Sequence, residues 1–133
     1  MPRSLTSHRW TFALLICALA AACGSRPEDD RPPDVYRVRG VVRQLPAADR
    51  APRELAVRHE AIPQFKSSDG EVVGMESMTM SFPLADPGLA DGLAVGDKIE
   101  MEFEVRWEGG NPLSITAVEK LPPETPLAFE TGG

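Results

Sequence analysis

Cysteine and histidine are scarce in this chain of 133 residues, which contains two of each. Cys17 lies inside an N-terminal apolar run and Cys23 follows it, so the rest of the chain has no cysteine pair and no disulfide framework. His59 is the one histidine beyond that run. Serine-histidine or cysteine-histidine catalysis and structural zinc would all depend on this single imidazole. We therefore expect a protein that is not an enzyme.

Positive charge is also in short supply. The chain has 14 Lys and Arg against 20 Asp and Glu, a net charge of −6, and loss of an N-terminal signal with Arg3 and Arg9 would make the balance more acidic still. Nucleic acid phosphates require a basic surface, so we expect no nucleic acid partner. The same balance argues against charge-driven binding to an anionic lipid surface.

The N-terminus has the organisation of a bacterial export signal. Basic residues precede an apolar stretch over residues 10–22, which is too short to span a bilayer. Small residues directly before Cys23 resemble the lipobox of bacterial lipoproteins, which implies that residues 1–22 are a signal peptide and that Cys23 is lipidated. Ala20 stands where that motif usually has leucine. A plain secretory signal with an incidental cysteine is the alternative.

Both ends of the exported chain have the composition of flexible segments. Residues 23–34 are polar, charged and proline-rich, which predicts a lipid-anchored tether, and residues 122–133 predict an unstructured tail. Gly24 after the cysteine resembles the sorting pattern for the outer membrane of Gram-negative bacteria. Between these segments, residues 35–121 suffice for one small domain, which we expect to be monomeric.

Alternating apolar and polar residues predict an all-β domain with five strands. Gly40 within the first strand suggests a bulge or bend, and residues 86–93 have room for one helical turn. Leu113, Ile115 and Ala117 are expected to share the inward face of the last strand. Five short strands favour a small five-stranded barrel of the OB-fold type. The predicted strands cover residues 35–45, 54–60, 78–82, 98–107 and 113–121.

Methionine, by contrast, is concentrated in one place. Met75, Met78 and Met80 lie within six residues, and thioether sulfur suits Cu(I), and by the same softness Ag(I), better than Zn, Mg or Ca. Met78 and Met80 are two apart on a strand and point to one face. If the second and third strands are neighbours, His59 and these methionines converge near a barrel mouth. Met75, at the end of the long segment 61–77, would fold over them.

Spacing alone favours a more ordinary interpretation. Methionine is a flexible core filler, and an inward histidine is more often satisfied within a core than bound to a metal. Met101 is assigned to the core, since it alternates with Ile99 and Phe103. The rival hypothesis is a metal-free OB-fold lipoprotein that acts as a protein-interaction adaptor in the cell envelope.

Three segments together resemble the CusF-like periplasmic copper- and silver-binding proteins. They are HEAIPQF at 59–65, MESMTMSF at 75–82 and LAVGDKI at 93–99, and the resemblance covers nearly all of residues 35–121. It implies an OB barrel with His59, Met78 and Met80 as metal ligands. It also implies reversible Cu(I) or Ag(I) binding by a chaperone that partners a copper efflux system or a copper-enzyme assembly protein.

The sequence departs from the best-known members of this family at two places. Met75 stands where those members have a tryptophan that covers the metal, and the one tryptophan beyond the signal, Trp107, is distant in sequence. The resemblance then implies either a fourth ligand, which would be a third sulfur, or a more open metal. We expect Met75 to be a ligand, as other members of the wider family have methionine here. An insertion around residues 66–73 is the second departure.

Overall fold

A computed structural model describes residues 31–108 and 112–129 of the chain. The signal peptide and the lipidated cysteine predicted at residues 1–23 lie outside the described residues. In the described part of the chain, no helix is both long and apolar enough to cross a membrane.

The structure confirms the all-β prediction with five strands, whose ends lie within two residues of those predicted. Between the third and fourth strands a single 3-10 turn, Pro87–Ala90, occupies the position expected for a helical turn. Asp86 caps this turn, since its side chain accepts a hydrogen bond from the backbone of Gly88 at 2.8 Å. The strands are β1 (Asp34–Gln44), β2 (Glu54–His59), β3 (Met78–Pro83), β4 (Lys98–Val105) and β5 (Leu113–Lys120).

The strands form one antiparallel sheet in the order β3-β2-β1-β4-β5. Its two edges meet in parallel where Leu84 bridges Ile115, and the backbone N–H of Ala85 donates to the carbonyl of Ile115 at 2.9 Å. This closure is confined to the end of β3. The sheet is therefore a small OB-like barrel, closed at one end of β3 and open along the beginning of that strand.

The barrel interior is filled by the inward residues of all five strands. Met101 is fully buried there, as predicted from its place in β4. Full burial of one such side chain contributes about 1.5–3 kcal/mol. The largest fully buried apolar side chains are Phe82, Phe103, Leu55, Ile99, Met101 and Ile115.

Two details of the strand predictions need correction. The irregularity in β1 lies between Val42 and Gln44, not at Gly40. In β5 the register shifts opposite Glu102 and Phe103, so Ala117 pairs with Glu102 on the outer face. One extra residue in a strand moves every later side chain to the opposite face, and Val118 packs on the core where Ala117 was expected.

The C-terminal segment makes defined contacts with the sheet, whereas the sequence predicted a tail without structure. Lys98 Nζ donates to the carbonyl of Thr125 at 2.6 Å, and the guanidinium of Arg58 lies 4.6 Å from the ring centre of Phe129. The segment therefore crosses the outside of the barrel from β4 to β2. Residues 130–133 lie outside the described residues.

Candidate metal site

His59 is the last residue of β2 and the one buried polar side chain in the core of the described residues. It pairs with Gly40 of β1 on one side and with Met78 of β3 on the other. A Cβ at Gly40 would lie 2.5 Å from the carbonyl oxygen of Arg58, so β1 can approach β2 this closely only because residue 40 has no side chain. The histidine is thus held between two strands with its side chain inside the barrel.

One ring nitrogen of His59 is satisfied and the other is not. Nδ1 lies 2.7 Å from the backbone carbonyl of Glu60, and since a carbonyl only accepts, Nδ1 carries the proton and donates. The Nε2 lone pair is then free, and this buried atom has no hydrogen-bond partner among the described residues. An unpaired buried acceptor costs about 1–3 kcal/mol. Histidines that bind metals are commonly oriented in this way, with one N–H fixed by a carbonyl.

Met78 and Met80 lie on the strand next to His59, as the sequence predicted. Met78 is directly opposite His59, and Met80 is opposite Val57. Residues paired across an antiparallel sheet share a face, and the diagonal neighbour is within reach of long side chains. Met80 packs on the core, whereas Met78 is 45% exposed at the open beginning of β3. The two side chains therefore differ in burial, one against the core and the other nearly half exposed at the start of β3.

Met75 lies in a continuation of the β2–β3 hairpin. Its backbone exchanges hydrogen bonds of 2.7 and 2.9 Å with Ile62, and the pairing keeps the register that joins His59 to Met78. Met75 is partly buried against the core cluster. In a regular strand, residues 75 and 78 would face opposite sides, so their two sulfurs could reach one ion only if the chain turns over between them.

The long segment before β3 is itself ordered as a hairpin. Lys66 bridges Val72, and Gly70 closes the turn with a φ of 86°. Asp69 accepts from the hydroxyl of Ser67 and from the backbone of Glu71, and these hydrogen bonds hold the pKa of its carboxyl below the usual value. The region predicted as an insertion, residues 66–73, is therefore the tip of the β2–β3 hairpin.

Two residues at the site were missed by sequence reasoning. The hydroxyl of Ser77 donates to the backbone carbonyl of His59 at 2.8 Å and ties the start of β3 to the end of β2. Phe82 contacts the imidazole edge-on, with ring centres 5.9 Å apart. A serine one residue before a strand carries no sequence signal of its own, whereas Phe82 follows Met78 and Met80 at the same spacing of two, which is a usable signal.

Trp107 does not contact the His59 ring. It follows β4 and packs edge-on against Phe65, with ring centres 6.3 Å apart. Phe65 in turn accepts a backbone hydrogen bond from Gly74 at 3.0 Å, the residue before Met75. The tryptophan therefore supports the hairpin that carries Met75, while an aromatic contact to the histidine comes from Phe82 instead.

The donors at this site are soft and uncharged. Across residues 31–108 and 112–129, no group of three or more His, Cys, Asp or Glu is placed to hold a metal. The nearest carboxylate along the chain, Glu60, is engaged by Arg39, whose Nε and Nη2 donate to it at 3.1 and 3.0 Å. An imidazole nitrogen with thioethers matches a monovalent soft ion and offers little to Zn²⁺, Mg²⁺ or Ca²⁺.

Comparison with known proteins gives a family match over the whole barrel. The family described as "Copper binding periplasmic protein CusF" matches residues 35–120. Among solved structures, the chain is similar to apo-CusF residues 6–88 from Escherichia coli, at 19% identity and a TM-score of 0.47, over 72% of this chain and 98% of that one. It is also similar to Ag(I)CusF, at 21% identity and a TM-score of 0.43, over 67% and 100% of the two chains. No curated protein sequence matches the chain.

Proposed function

Since the chain belongs to the family of the copper-binding periplasmic protein CusF, we propose that it binds Cu(I) or Ag(I) reversibly in the cell envelope as a metal chaperone. The observation that carries this proposal is the free Nε2 of His59, buried without a partner and opposite Met78. A buried acceptor of this kind is stabilised by a cation that replaces the missing hydrogen bond.

The proposed ligands are His59 Nε2 and the sulfurs of Met78, Met80 and Met75. The three thioether sulfurs carry no proton and no charge, so metal binding would release no proton from them. Cu(II) prefers nitrogen and oxygen donors, and one nitrogen among thioethers disfavours it. The site is therefore expected to select the monovalent soft ions.

The uneven burial of the donors suits a carrier. His59 and Met80 lie against the core, which would hold the ion, whereas Met78 is 45% exposed. An exposed sulfur can be exchanged for a donor of a receiving protein without opening the barrel. We propose a copper efflux system or a copper-enzyme assembly protein as that receiver, and binding without catalysis as the activity.

The family is periplasmic, so the protein is exported. Attachment through a lipid on Cys23, in the outer membrane of a Gram-negative cell, is the finer part of the proposal. Mass spectrometry of the N-terminus of the protein purified from membranes tests it directly: an acylated N-terminal Cys23 supports the anchor, and an unmodified N-terminus near residue 22 contradicts it.

The binding proposal is tested by anaerobic titration with Cu(I) against a chromogenic chelator, and with Ag(I) by calorimetry. We expect one tight equivalent in the wild-type protein and loss of competition in Met78→Leu/Met80→Leu, which keeps apolar volume but removes both sulfurs. Met101→Leu is the matched control, because it removes a methionine buried elsewhere in the core. Absence of binding in the wild type contradicts the proposal and favours a metal-free adaptor, whereas equal binding in the double variant contradicts the assignment of Met78 and Met80 as ligands.

A further inference from the structure

The C-terminal strap, residues 125–129, reaches the residue next to the proposed histidine ligand. The backbone N–H of Ala128 donates to Glu60 Oε1 at 2.7 Å, across 68 positions of sequence. On either side of this bond, Thr125 is held by Lys98 and Phe129 by Arg58. The strap is thus fixed to Lys98 of β4, to Arg58 near the end of β2 and to Glu60 just after that strand.

Glu60 is restrained from several directions. Its carboxylate accepts a two-point contact from Arg39 as well as the N–H of Ala128, and its side chain is 15% exposed. Its backbone N–H donates to the carbonyl of Arg39 at 2.9 Å. A bidentate arginine contact fixes orientation as well as distance, so both ends of this residue are immobilised.

The remaining polar group of Glu60 is its carbonyl, which accepts the Nδ1 proton of His59 at 2.7 Å. The position of that carbonyl decides which ring nitrogen carries the proton and where Nε2 points. Ser77 fixes the carbonyl of His59 itself at 2.8 Å. The ring orientation is therefore set by the peptide of Glu60, and that peptide is set by Arg39 and the strap.

We propose that Glu60 is a positioning residue for the metal site and that the strap acts through it to hold His59 in the Nδ1–H form with Nε2 presented. This inference rests on the proposed function, because it assigns Nε2 as the ligating atom. It gives the C-terminal segment a role in metal affinity, although the strap contains no donor for a soft metal.

The full chain, purified in detergent, is compared with three variants that each remove one part of this arrangement. Glu60→Gln weakens the contact with Arg39. Ala128→Pro removes the N–H that reaches Glu60 but keeps Phe129 in the chain, and Ala128→Ser restores that N–H. Arg39→Gln removes the bidentate donor. Its matched control is Arg37→Gln, whose side chain on the same strand pairs with the half-buried Glu100 and Glu102.

Three measurements are made on each protein: the ¹⁵N shifts of the His59 ring without metal, the Ag(I) affinity, and the melting temperature. We expect one Nδ1–H form in the wild type and averaged ring shifts in Glu60→Gln, Arg39→Gln and Ala128→Pro. Their Ag(I) affinity falls about tenfold, as is common when a group that orients a ligating histidine is removed. Arg37→Gln and Ala128→Ser retain the wild-type shifts and affinity.

Unchanged ring shifts in all three variants overturn the proposal, even if their melting temperatures fall, because the strap would then only stabilise the fold. Unchanged Ag(I) affinity with altered ring shifts also overturns it, since ring orientation would not control binding. If the wild type binds no Ag(I), the proposed function fails, and the ring shifts still decide whether the strap orients His59.

Discussion

Two inward-facing methionines of the same barrel have opposite environments. Met101 lies in β4 between Val38 of β1 and Val118 of β5 and is fully buried. Met78 begins β3, pairs only with His59 in the sheet formed by the described residues, and is 45% exposed. Both occupy positions that alternation assigns to the interior, yet Met101 fills the core and Met78 is nearly half exposed.

The difference arises from the neighbours of each strand. β4 has a partner on both sides along its length, whereas β3 meets β5 only at its far end, through Leu84 and Ala85. At an unpaired strand end, a side chain can point toward the barrel interior and still be exposed to solvent. Exposed methionine beside a buried histidine is therefore a more specific indication of a metal site than methionine alone.

The largest expected effect is a difference in the free energy of unfolding between alanine variants of the two methionines. Met101→Ala should lower the free energy of unfolding by about 2–5 kcal/mol, because it leaves a cavity in a fully packed interior. Met78→Ala should lower it by less than about 0.5 kcal/mol, because its side chain is largely solvated. Urea denaturation of the metal-free proteins measures both, and similar losses in the two variants would remove the distinction drawn above.

Gly40→Ala should disturb the side of the barrel that holds His59. The new Cβ would meet the carbonyl oxygen of Arg58 at 2.5 Å and a side-chain carbon of Val57 at 2.6 Å, at a cost of about 1–3 kcal/mol. Since β1 would have to move away from β2, Ag(I) affinity should fall as well. Gly88→Ala is the control, as its nearest contact is a side-chain oxygen of Asp86 at 3.3 Å; equal melting temperatures would contradict the role given to Gly40.

Met75→Leu tests the one proposed donor that lies outside the five strands. Leucine keeps most of the contact with the core, so unfolding should change by less than about 1.5 kcal/mol. Loss of one thioether should weaken Ag(I) binding several-fold while Met101→Leu leaves it unchanged. Calorimetric titration that gives the same affinity for Met75→Leu and wild type would remove Met75 from the ligand set.

The smallest expected effect lies at the start of β4, away from the metal site. Asp97 accepts from the backbone of Ala94 at 2.8 Å and from Lys120 at 3.1 Å, and these contacts lower its pKa from the ordinary value of 3.8. A lowered folded-state pKa stabilises the fold above the ordinary value, and the stabilisation is lost as the pH falls through the folded-state pKa.

The melting temperature of Asp97→Asn should therefore be slightly lower than that of the wild type at neutral pH. Well below pH 3.8 the two proteins should melt at the same temperature. Thermal melts across this range check the prediction, with Ag(I) affinity at neutral pH as the control that should not change. A deficit that persists unchanged in acid would show that the carboxylate charge is not its cause.

Local pattern was sufficient to predict the five strands. Alternation has a period of two wherever one face of a strand is buried, so β4, with Ile99, Met101 and Phe103 inward, was clear from residue order alone. The pattern failed at Ala117 because a bulge changes the phase without changing composition. It failed at residues 122–129 because three prolines suggest an open tail, while the contacts that hold this segment come from residues 27 to 71 positions away.

The candidate donors were likewise visible in the sequence, and their pairing was not. Residue order alone places Met78 and Met80 on one face of the third strand and His59 on the second strand. The register that sets His59 opposite Met78, and the hydrogen bond that frees Nε2, depend on where β2 meets β3 and on Gly40 behind them.

The sequence by itself determined the strands, the soft donor types and the scarcity of histidine and cysteine, because these follow from side-chain chemistry and a period of two. Only the tertiary structure decided which methionine is exposed, which histidine nitrogen is free, and that a C-terminal strap reaches Glu60. Burial and hydrogen-bond satisfaction depend on neighbours brought together from distant parts of the chain, and residue order alone does not contain those distances.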